Sequence, residues 1–151
     1  MSQEKTLQVS ALQSGTVMDH LVAGTALRTL RLLTLDSHTT ILVGMNLRSG
    51  QQGLKDLVKV EGLELTRKEI DRVALLSPQA TFSIIRDYQV VEKFSGKIPD
   101  VLEGILSCVN PACISRDSRV VPRYHTEVRS PLRLRCFYCE RSINRDQLDF
   151  L

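Results

Sequence analysis

Four cysteines in the last third of the chain have the residue type and spacing of a metal site. Cys108 and Cys113 frame a C-V-N-P-A-C loop, and 22 residues later Cys136 and Cys139 frame a C-F-Y-C knuckle. Each loop directs two sulfurs toward one point, and four thiolates are a donor set that Zn²⁺ takes in a tetrahedron. Because all four cysteines would be ligands, no position stays open for a substrate. The spacing therefore predicts one structural zinc ion rather than a catalytic one.

Disulfide bonds and an iron–sulfur cluster remain as alternatives for the same four cysteines. The sequence has no apolar run long enough to span a bilayer, and its first residues, MSQEKTLQ, lack a signal-peptide core. We therefore expect a cytoplasmic protein in a reducing environment. Clustered cysteines there bind metal more often than they form disulfides.

The 44 residues from Cys108 to Leu151 are too few to be stable on a small apolar core alone. We expect metal removal to unfold this part and to leave residues 1–97 folded. Its candidate core residues are Leu132, Leu134, Phe137, Ile143, Leu148 and Phe150.

The charge distribution argues against a nucleic-acid-binding surface. The chain of 151 residues has a formal charge of +3, and residues 1–107 contain 12 basic and 12 acidic side chains, which cancel. Residues 108–151 contain eight arginines and five acids. Four thiolates around one zinc dication would lower the charge of this part to about +1. A nucleic-acid-binding patch needs a larger local excess of cations.

The sequence outside the cysteines offers few catalytic candidates. His20, His38 and His125 form no recognisable serine–histidine–acid arrangement, and there is no glycine-rich phosphate loop. The pair Asp19-His20 follows an apolar strand and is the most interesting of these groups. A solvent-facing pair at a strand end is the alternative interpretation.

The periodicity predicts strand, helix, strand, strand, helix, strand in the first hundred residues. This order is typical of a ferredoxin-like α+β fold, an antiparallel sheet with both helices on one face. A small β-rich zinc-binding domain would follow it. The predicted elements are strands at 16–20, 39–48, 54–61, 80–86 and 88–94, a helix at 22–34 and a helix beginning at Thr66 and ending before Pro78.

Two helices and one strand have marked patterns. Thr66 and Glu69 fit a capping box at the start of the second helix. The alternation of Ile41, Val43, Met45 and Leu47 predicts that these four residues share one sheet face. The apolar stripe predicted for the first helix is Ala23, Ala26, Leu27, Leu30 and Leu33.

Alternation also separates the two faces of the predicted sheet. Val58, Val60, Phe82 and Ile84 suit the face covered by helices. The opposite face, not covered by helices, would carry Lys55, Leu57, Lys59, Thr81, Ser83 and Ile85. Such a face would be solvated or packed on a second subunit, or would bind an anionic small molecule with an apolar part.

Several motifs in the same order resemble the aspartate carbamoyltransferase regulatory chain, and the resemblance covers nearly the whole chain. The last of them is the C-F-Y-C-E-R sequence that ends the cysteine pattern. The others are Leu7–His20, Gly44–Gly50, Lys55–Glu61 and Leu76–Thr81.

The resemblance implies a non-catalytic regulatory subunit in pyrimidine biosynthesis. Residues 1–97 would be an allosteric domain that binds CTP and ATP, with UTP as a third candidate effector, and would pair with a second regulatory chain. Residues 98–151 would be a zinc-binding domain that holds the catalytic chains. No nucleic acid or membrane would be a partner.

The resemblance also implies which residues bind the nucleotide. The matching polar positions are Asp19, His20, Lys59 and Lys93, and those that line the base and ribose are Val9, Leu12, Thr81, Ile85, Tyr88 and Val90. Ser83 belongs to the same site but stands where the family usually has asparagine, and Ser95 replaces a basic residue of close relatives. Positions expected to contact the catalytic chain are Asn110, Tyr138, Glu140 and Arg141, next to Ala112, which replaces an asparagine.

Two other classes of protein remain as alternatives. A zinc-ribbon nucleic-acid-binding protein is weakly supported by Arg129, Arg133, Arg135 and Arg141. A zinc enzyme would need an open metal position, which a four-cysteine site does not provide.

Overall fold

A computed structural model describes residues 11–151 of the protein. Val9, one of the predicted nucleotide-binding residues, lies outside the described residues. No helix within residues 11–151 is long and apolar enough to cross a membrane. The first half contains β1 (Gly15–Val22), α1 (Ala26–Arg31), β2 (Ile41–Ser49), β3 (Gly53–Glu61), α2 (Arg67–Leu76), β4 (Thr81–Arg86) and β5 (Gln89–Ser95).

These strands form one antiparallel sheet in the order β2-β3-β1-β4-β5. The helices pack on one face, where Ile70 and Val73 of α2 join the cluster that contains Val58 and Phe82. The ferredoxin-like α+β prediction is confirmed. The strand predicted at 88–94 is β5, which extends the four-stranded sheet at the edge beside β4. Val58, Val60, Phe82 and Ile84 are all buried, at 0–3% exposure, as the alternation predicts.

The second helix begins where its capping box predicts. Thr66 accepts a hydrogen bond from the Glu69 N–H, and the Glu69 carboxylate accepts one from the Thr66 N–H. These two bonds satisfy N–H groups that the first turn of a helix leaves without partners.

The first helix is shorter than predicted. Gly24, with φ of +85°, turns the chain after β1, and the helix begins only at Ala26. The Ala26 N–H donates to Oδ2 of Asp56 at 2.9 Å, and this fully buried carboxylate caps the helix from the neighbouring strand. Leu27 is 57% exposed, so its place in the predicted buried stripe is wrong. Thr29 is buried instead.

A bulge breaks the alternation of β2. The register shifts between Gly44 and Leu47, and Asn46 has φ of +56°. Leu47 therefore lies opposite Lys55, on the face away from the helices, and its side chain covers Gly44. The prediction that Leu47 shares a face with Ile41 and Val43 is wrong. The Asn46 N–H donates to Oδ1 of Asp56 at 2.9 Å, and this bond holds the bulge in place.

The second half contains a smaller antiparallel sheet in the order β6-β7-β8-β9. Two short 3₁₀ turns at Ile114–Arg116 and Arg145–Gln147 flank it. The strands are β6 (Val101–Glu103), β7 (Arg123–Arg129), β8 (Leu132–Cys136) and β9 (Ser142–Asn144).

The core of this smaller sheet differs from the predicted one at two places. Phe137 is 49% exposed, so the prediction that it is a core residue is wrong, and Tyr124 is the large aromatic residue inside. Leu75 and Leu76, at the end of α2, belong to the same buried cluster as three of the cysteines. The apolar core around the cysteines therefore includes part of the first half of the chain.

Candidate functional site

The four cysteines converge at the end of the smaller sheet. Cys136 is the last residue of β8, and Glu140, with φ of +63°, turns the knuckle so that Cys139 faces back toward it. The Glu140 N–H donates to the Cys136 carbonyl at 3.0 Å, and the Cys136 N–H donates to the Arg141 carbonyl at 2.9 Å. These two bonds close the C-x2-C turn.

The other two cysteines are held by a turn around Asn110. Its side-chain oxygen accepts from the Ala112 N–H at 3.1 Å, and its carbonyl accepts from the Cys113 N–H at 3.1 Å. Asparagine favours such turns because its short side chain can bond the backbone two residues on. The turn brings Cys113 back toward Cys108.

The sulfur positions fit one tetrahedral metal ion. All four sulfurs lie within 4.8 Å of one another. Cys108 Sγ lies 3.7 Å from Cys139 Sγ, and Cys113 Sγ lies 3.8 Å from Cys136 Sγ. A tetrahedron of sulfurs at the usual Zn–S distance of about 2.3 Å has edges of about 3.8 Å. A disulfide needs about 2.05 Å, so these pairs are not disulfide-bonded.

The thiols differ in how readily they ionise. Burial raises the pKa of Cys108 and raises that of Cys136 to about 12. Burial also opposes ionisation of Cys139, but the Arg141 N–H and the Asn110 side chain outweigh it and lower that pKa to about 7. A buried group of thiolates needs a bound cation, and four sulfur ligands match one structural Zn²⁺. The zinc would cross-link the loop before β7 to the end of β8.

The predicted nucleotide-binding residues are arranged by the register of the larger sheet. Lys59, Val17, Ser83 and Lys93 lie in one row across β3, β1, β4 and β5. Residues that pair directly across strands share a face, so the two lysines and Ser83 lie on the face opposite the helices.

The rows on either side of this one contain further predicted residues. Toward the carboxyl end of β1, Asp19 pairs with Thr81. Toward the amino end of β1, Ile85 pairs with Val90. From Thr81 to Ile85 along β4 is about 13 Å, at the usual rise of a strand. The face therefore carries polar groups at one end, lysines in the middle and apolar groups at the other end.

A bulge in β1 determines on which face of the sheet the Asp19 and His20 side chains lie. The register shifts between Met18 and Leu21, and His20 has φ of +56°. The His20 N–H donates to Oδ1 of Asp19 at 2.6 Å, and the His20 ring Nδ1 lies 3.2 Å from Oγ1 of Thr81. The bulge thus brings the imidazole to the face that carries Thr81, where regular alternation would place it on the helix side.

Lys55 is a further candidate for the nucleotide site. The sequence analysis placed it on this face but did not include it among the nucleotide-binding residues. Its Nζ lies 2.8 Å from Oδ1 of Asp19, and both side chains are largely buried. Burial opposes ionisation of Asp19, but Lys55 and the His20 N–H outweigh it and lower the pKa of the carboxyl below its usual value. The signal in the sequence was the spacing of Lys55 and Lys59, four residues apart in one strand.

The apolar end of the face is formed by two segments. Leu12 and Ile85 are buried, at 8% exposure each. Tyr88 is 66% exposed in the turn between β4 and β5, where both Asp87 and Tyr88 have positive φ. The Tyr88 N–H donates to the Gln13 carbonyl at 2.9 Å, which ties this turn to the segment that carries Leu12.

A cleft of about 1180 Å³ lies between the two sheets. Among the described nucleotide-site candidates only His20 lines it. The basic residues that also line it are Lys97 of the junction, Arg129 of β7 and Arg145 of the second 3₁₀ turn. The lysine row thus lies on an open sheet face and not in this cleft.

Exposed apolar groups surround the cysteine knuckle. Tyr138 is 38% exposed, and its hydroxyl donates to the Val121 carbonyl at 2.9 Å. Phe137 packs edge-on against Tyr138, with 5.3 Å between ring centroids, and the Arg123 guanidinium lies 5.2 Å from the Phe137 centroid. We call Val121, Phe137 and Tyr138 the knuckle patch. Such a patch is typical of a protein-binding surface.

Most of the arginines that supported a nucleic-acid-binding protein are engaged in ion pairs. Arg129 pairs with Asp100, and Arg133 and Arg135 both pair with Glu127. These pairs leave little of the cation excess that a phosphate backbone would need.

The fold and the sites define a class of protein. Four sulfurs around one metal leave no position for a substrate, so this centre stabilises structure, and the open polar face belongs to a different sheet. A domain with an open polar sheet face, joined to a domain built around a closed metal site, is the organisation of a non-catalytic subunit.

Comparison with known proteins identifies the family. Residues 7–97 match the model of the aspartate carbamoyltransferase regulatory chain, allosteric domain, and residues 100–149 match that of its metal binding domain. The chain belongs to the family of aspartate carbamoyltransferase regulatory chains. It is a non-catalytic subunit, and the zinc-ribbon alternative is not favoured.

The similarity to curated relatives extends over almost the whole chain. The regulatory chain of Thermococcus kodakarensis is 44% identical over 146 residues, which are 95% of this chain and 96% of the relative. That of Pyrococcus abyssi is 46% identical over 145 residues, 94% and 95% of the two chains. That of Methanocaldococcus jannaschii is 41% identical over 138 residues, 91% and 93% of the two chains. Membership in this family implies catalytic chains as partners.

Proposed function

We propose that the chain binds CTP and ATP, with UTP as a third candidate effector, on the open face of its larger sheet. The row Lys59–Ser83–Lys93 is the observation that carries this proposal. Ammonium groups suit triphosphate oxygens as mobile donors of hydrogen bonds. The apolar end around Leu12 and Ile85 suits a base and ribose, and its distance from Thr81 suits an extended nucleotide.

The electrostatics of the face support an anionic ligand. Lys55, Lys59 and Lys93 share this face with two carboxylates, Asp19 and Glu61, and Lys55 is already bonded to Asp19. The excess of cations is small, so we expect affinity to depend on direct contacts more than on a long-range field.

The proposed boundary between the two domains lies at residues 97 and 98. The larger sheet ends at Ser95 and the smaller sheet begins at Val101. The segment between them is bonded from both sides: the Lys97 N–H donates to Asp71, and Arg129 donates to the Ile98 carbonyl. Residues 1–97 would respond to the nucleotide, and residues 98–151 would carry the response to the catalytic chain.

We further propose that the catalytic chain docks on residues 98–151, which we call the cysteine module. Asn110, Glu140 and Arg141 lie in or next to the two cysteine loops, and Tyr138 belongs to the knuckle patch beside them. Zinc fixes the two loops that carry these residues, so its loss would release the catalytic chain before it affects nucleotide binding.

A second regulatory chain would pair along β2. This strand is an edge of the larger sheet, and Val43 and Met45 on it are 41% and 39% exposed. An exposed edge with apolar side chains is a surface that proteins usually cover. The proposed assembly regulates carbamoyl-aspartate formation in pyrimidine biosynthesis.

Direct titration of the zinc-loaded chain with CTP and with ATP tests the nucleotide site. We expect Lys59→Gln and Lys93→Gln each to weaken binding about tenfold, since each removes a charged hydrogen-bond donor. Lys68→Gln is the matched control, because Lys68 is exposed on α2, on the helix side of the sheet. Equal affinities of all four proteins would show that the lysine row is not the site.

A further inference from the structure

The largest fully buried side chain of the cysteine module is Tyr124 of β7, which is 1% exposed. Its hydroxyl oxygen is buried and has no hydrogen-bond partner of ordinary geometry among residues 11–151. A buried hydroxyl without a partner is costly, and native proteins rarely keep one without a reason. None of the roles described above for residues of the metal site or the docking surface involves this hydroxyl.

The position of Tyr124 points to the metal ligands. It lies directly opposite Cys136 across β7 and β8, and it shares one buried cluster with Cys108 and Cys113. The Cys108 sulfur lies beside the hydroxyl. The Tyr124 hydroxyl is therefore next to the Cys108 sulfur, which would bind the metal.

The sulfurs of a four-cysteine zinc site need hydrogen-bond donors around them. Four thiolates and one Zn²⁺ carry a net charge of about −2, and groups outside the ligands stabilise this charge. Cys136 faces the backbone N–H groups of Tyr138 and Cys139, and Cys113 Sγ lies 3.0 Å from the Ser115 hydroxyl. Cys108 faces the backbone N–H of Asn110. Bound to the metal, Cys108 would be a thiolate, which accepts hydrogen bonds far better than a neutral thiol. Its sulfur could then accept a second hydrogen bond besides the one from Asn110.

We propose that the Tyr124 hydroxyl donates a hydrogen bond to the metal-bound sulfur of Cys108 and thereby slows the loss of zinc. Tyr124 is a positioning residue and not a ligand, because the four sulfurs would already complete the tetrahedron. The ring fills the core, and the hydroxyl stabilises the negative charge of the sulfur.

The substitution Tyr124→Phe separates these two contributions, because it keeps the ring and removes only the hydroxyl. We expect zinc to pass from the full-length chain to a chromophoric chelator about tenfold faster, the size typical of a lost outer hydrogen bond. Tyr138→Phe is the matched control. It removes a phenolic hydroxyl from the same module, but that hydroxyl bonds the Val121 carbonyl and not a sulfur. Its release rate should stay within about twofold of the wild type.

A spectrum of the cobalt-substituted chain distinguishes a hydrogen bond from simple packing. A hydrogen bond lowers the energy of the sulfur electrons, so its loss should move the sulfur-to-cobalt charge-transfer band of Tyr124→Phe to longer wavelength. Faster zinc release with an unmoved band would overturn the proposal, since it would mean that only packing had changed. An unchanged release rate would overturn it as well.

A measurement on the unsubstituted chain covers the case in which Tyr124→Phe does not fold. In the cadmium-113 form, the proposed O–H···S–Cd path should give a scalar coupling between cadmium and the Tyr124 hydroxyl proton. A visible hydroxyl proton without this coupling would contradict the proposal.

Discussion

Nζ of Lys55 lies 2.8 Å from Oδ1 of Asp19, across the bulge where β1 departs from regular pairing with β3. The same carboxylate accepts the His20 N–H, and His20 in turn lies 3.2 Å from Thr81. One carboxylate thus orients both the lysine and the histidine at the polar end of the sheet face.

The Asp19–Lys55 pair should make a contribution to stability that disappears in acid. The pKa of Asp19 is lower in the folded chain than its usual value of 3.8, so the contribution is complete above about pH 4 and is lost as pH falls through the folded value. Unfolding of wild type and Asp19→Asn by denaturant at several pH values measures it. The difference in unfolding free energy should be constant from pH 7 to about pH 4.5 and shrink below pH 4. A difference that shrinks between pH 7 and 5 would contradict this assignment.

Replacing Asp56 should destabilise the larger sheet strongly. Its buried carboxylate accepts the Ala26 N–H and the Asn46 N–H, which belong to the helix start and the β2 bulge. Asp56→Ala leaves both N–H groups without their acceptor and should cost about 2–6 kcal/mol, at about 1–3 kcal/mol for each group. Thermal or denaturant unfolding measures the cost.

Asp87→Asn is the control for that substitution. Asp87 is exposed in the β4–β5 turn with φ of +49°, a conformation that asparagine also adopts readily. Its effect should be below about 0.5 kcal/mol. If the two substitutions had similar effects, Asp56 would not link helix and bulge as described.

Removal of zinc should unfold the cysteine module and weaken the end of α2. Leu75 and Leu76 belong to the cluster that contains Cys108, Cys113 and Cys136, so unfolding of the module would expose them. Hydrogen exchange after treatment with a chelator should show lost protection in β6 to β9 and in the last turn of α2. Amides of β1, β3 and β4 should stay protected, and their exchange at the rate of β7 would contradict the independence of the larger sheet.

Truncation of the knuckle patch should weaken docking of the catalytic chain. Phe137 is half exposed and held by Arg123 and Tyr138, so it is a rigid aromatic anchor of the kind that dominates protein interfaces. Phe137→Ala should weaken assembly with catalytic chains about tenfold or more, measured by sedimentation of mixtures. Val128→Ala, at an exposed apolar position of β7 outside the knuckle patch, is the control and should assemble normally.

Local sequence patterns correctly predicted those features of the structure that depend only on residues close together in the chain. The cysteine spacing, the Thr66–Glu69 capping box and the outward position of Lys59 are confirmed because each follows from the geometry of a single loop, helix or strand. These features need no knowledge of distant partners.

The remaining features depend on contacts between segments far apart in sequence. The bulge at Asn46 and the start of α1 are both held by Asp56, so the periodicity of either segment alone misplaced Leu47 and Leu27. Phe137 could not be distinguished from a core residue by its type. Its exposure follows from a knuckle whose sulfurs, and not its aromatic rings, face inward.

Assembly with catalytic chains and assay of carbamoyl-aspartate formation against CTP and ATP test the central claim most directly. The wild-type chain should assemble in the presence of zinc and change the activity when nucleotide is added. The double variant Lys59→Gln/Lys93→Gln should assemble equally well and show no response at nucleotide concentrations that saturate the wild type. Failure of the wild-type chain to assemble, or a full nucleotide response from the double variant, would contradict the account.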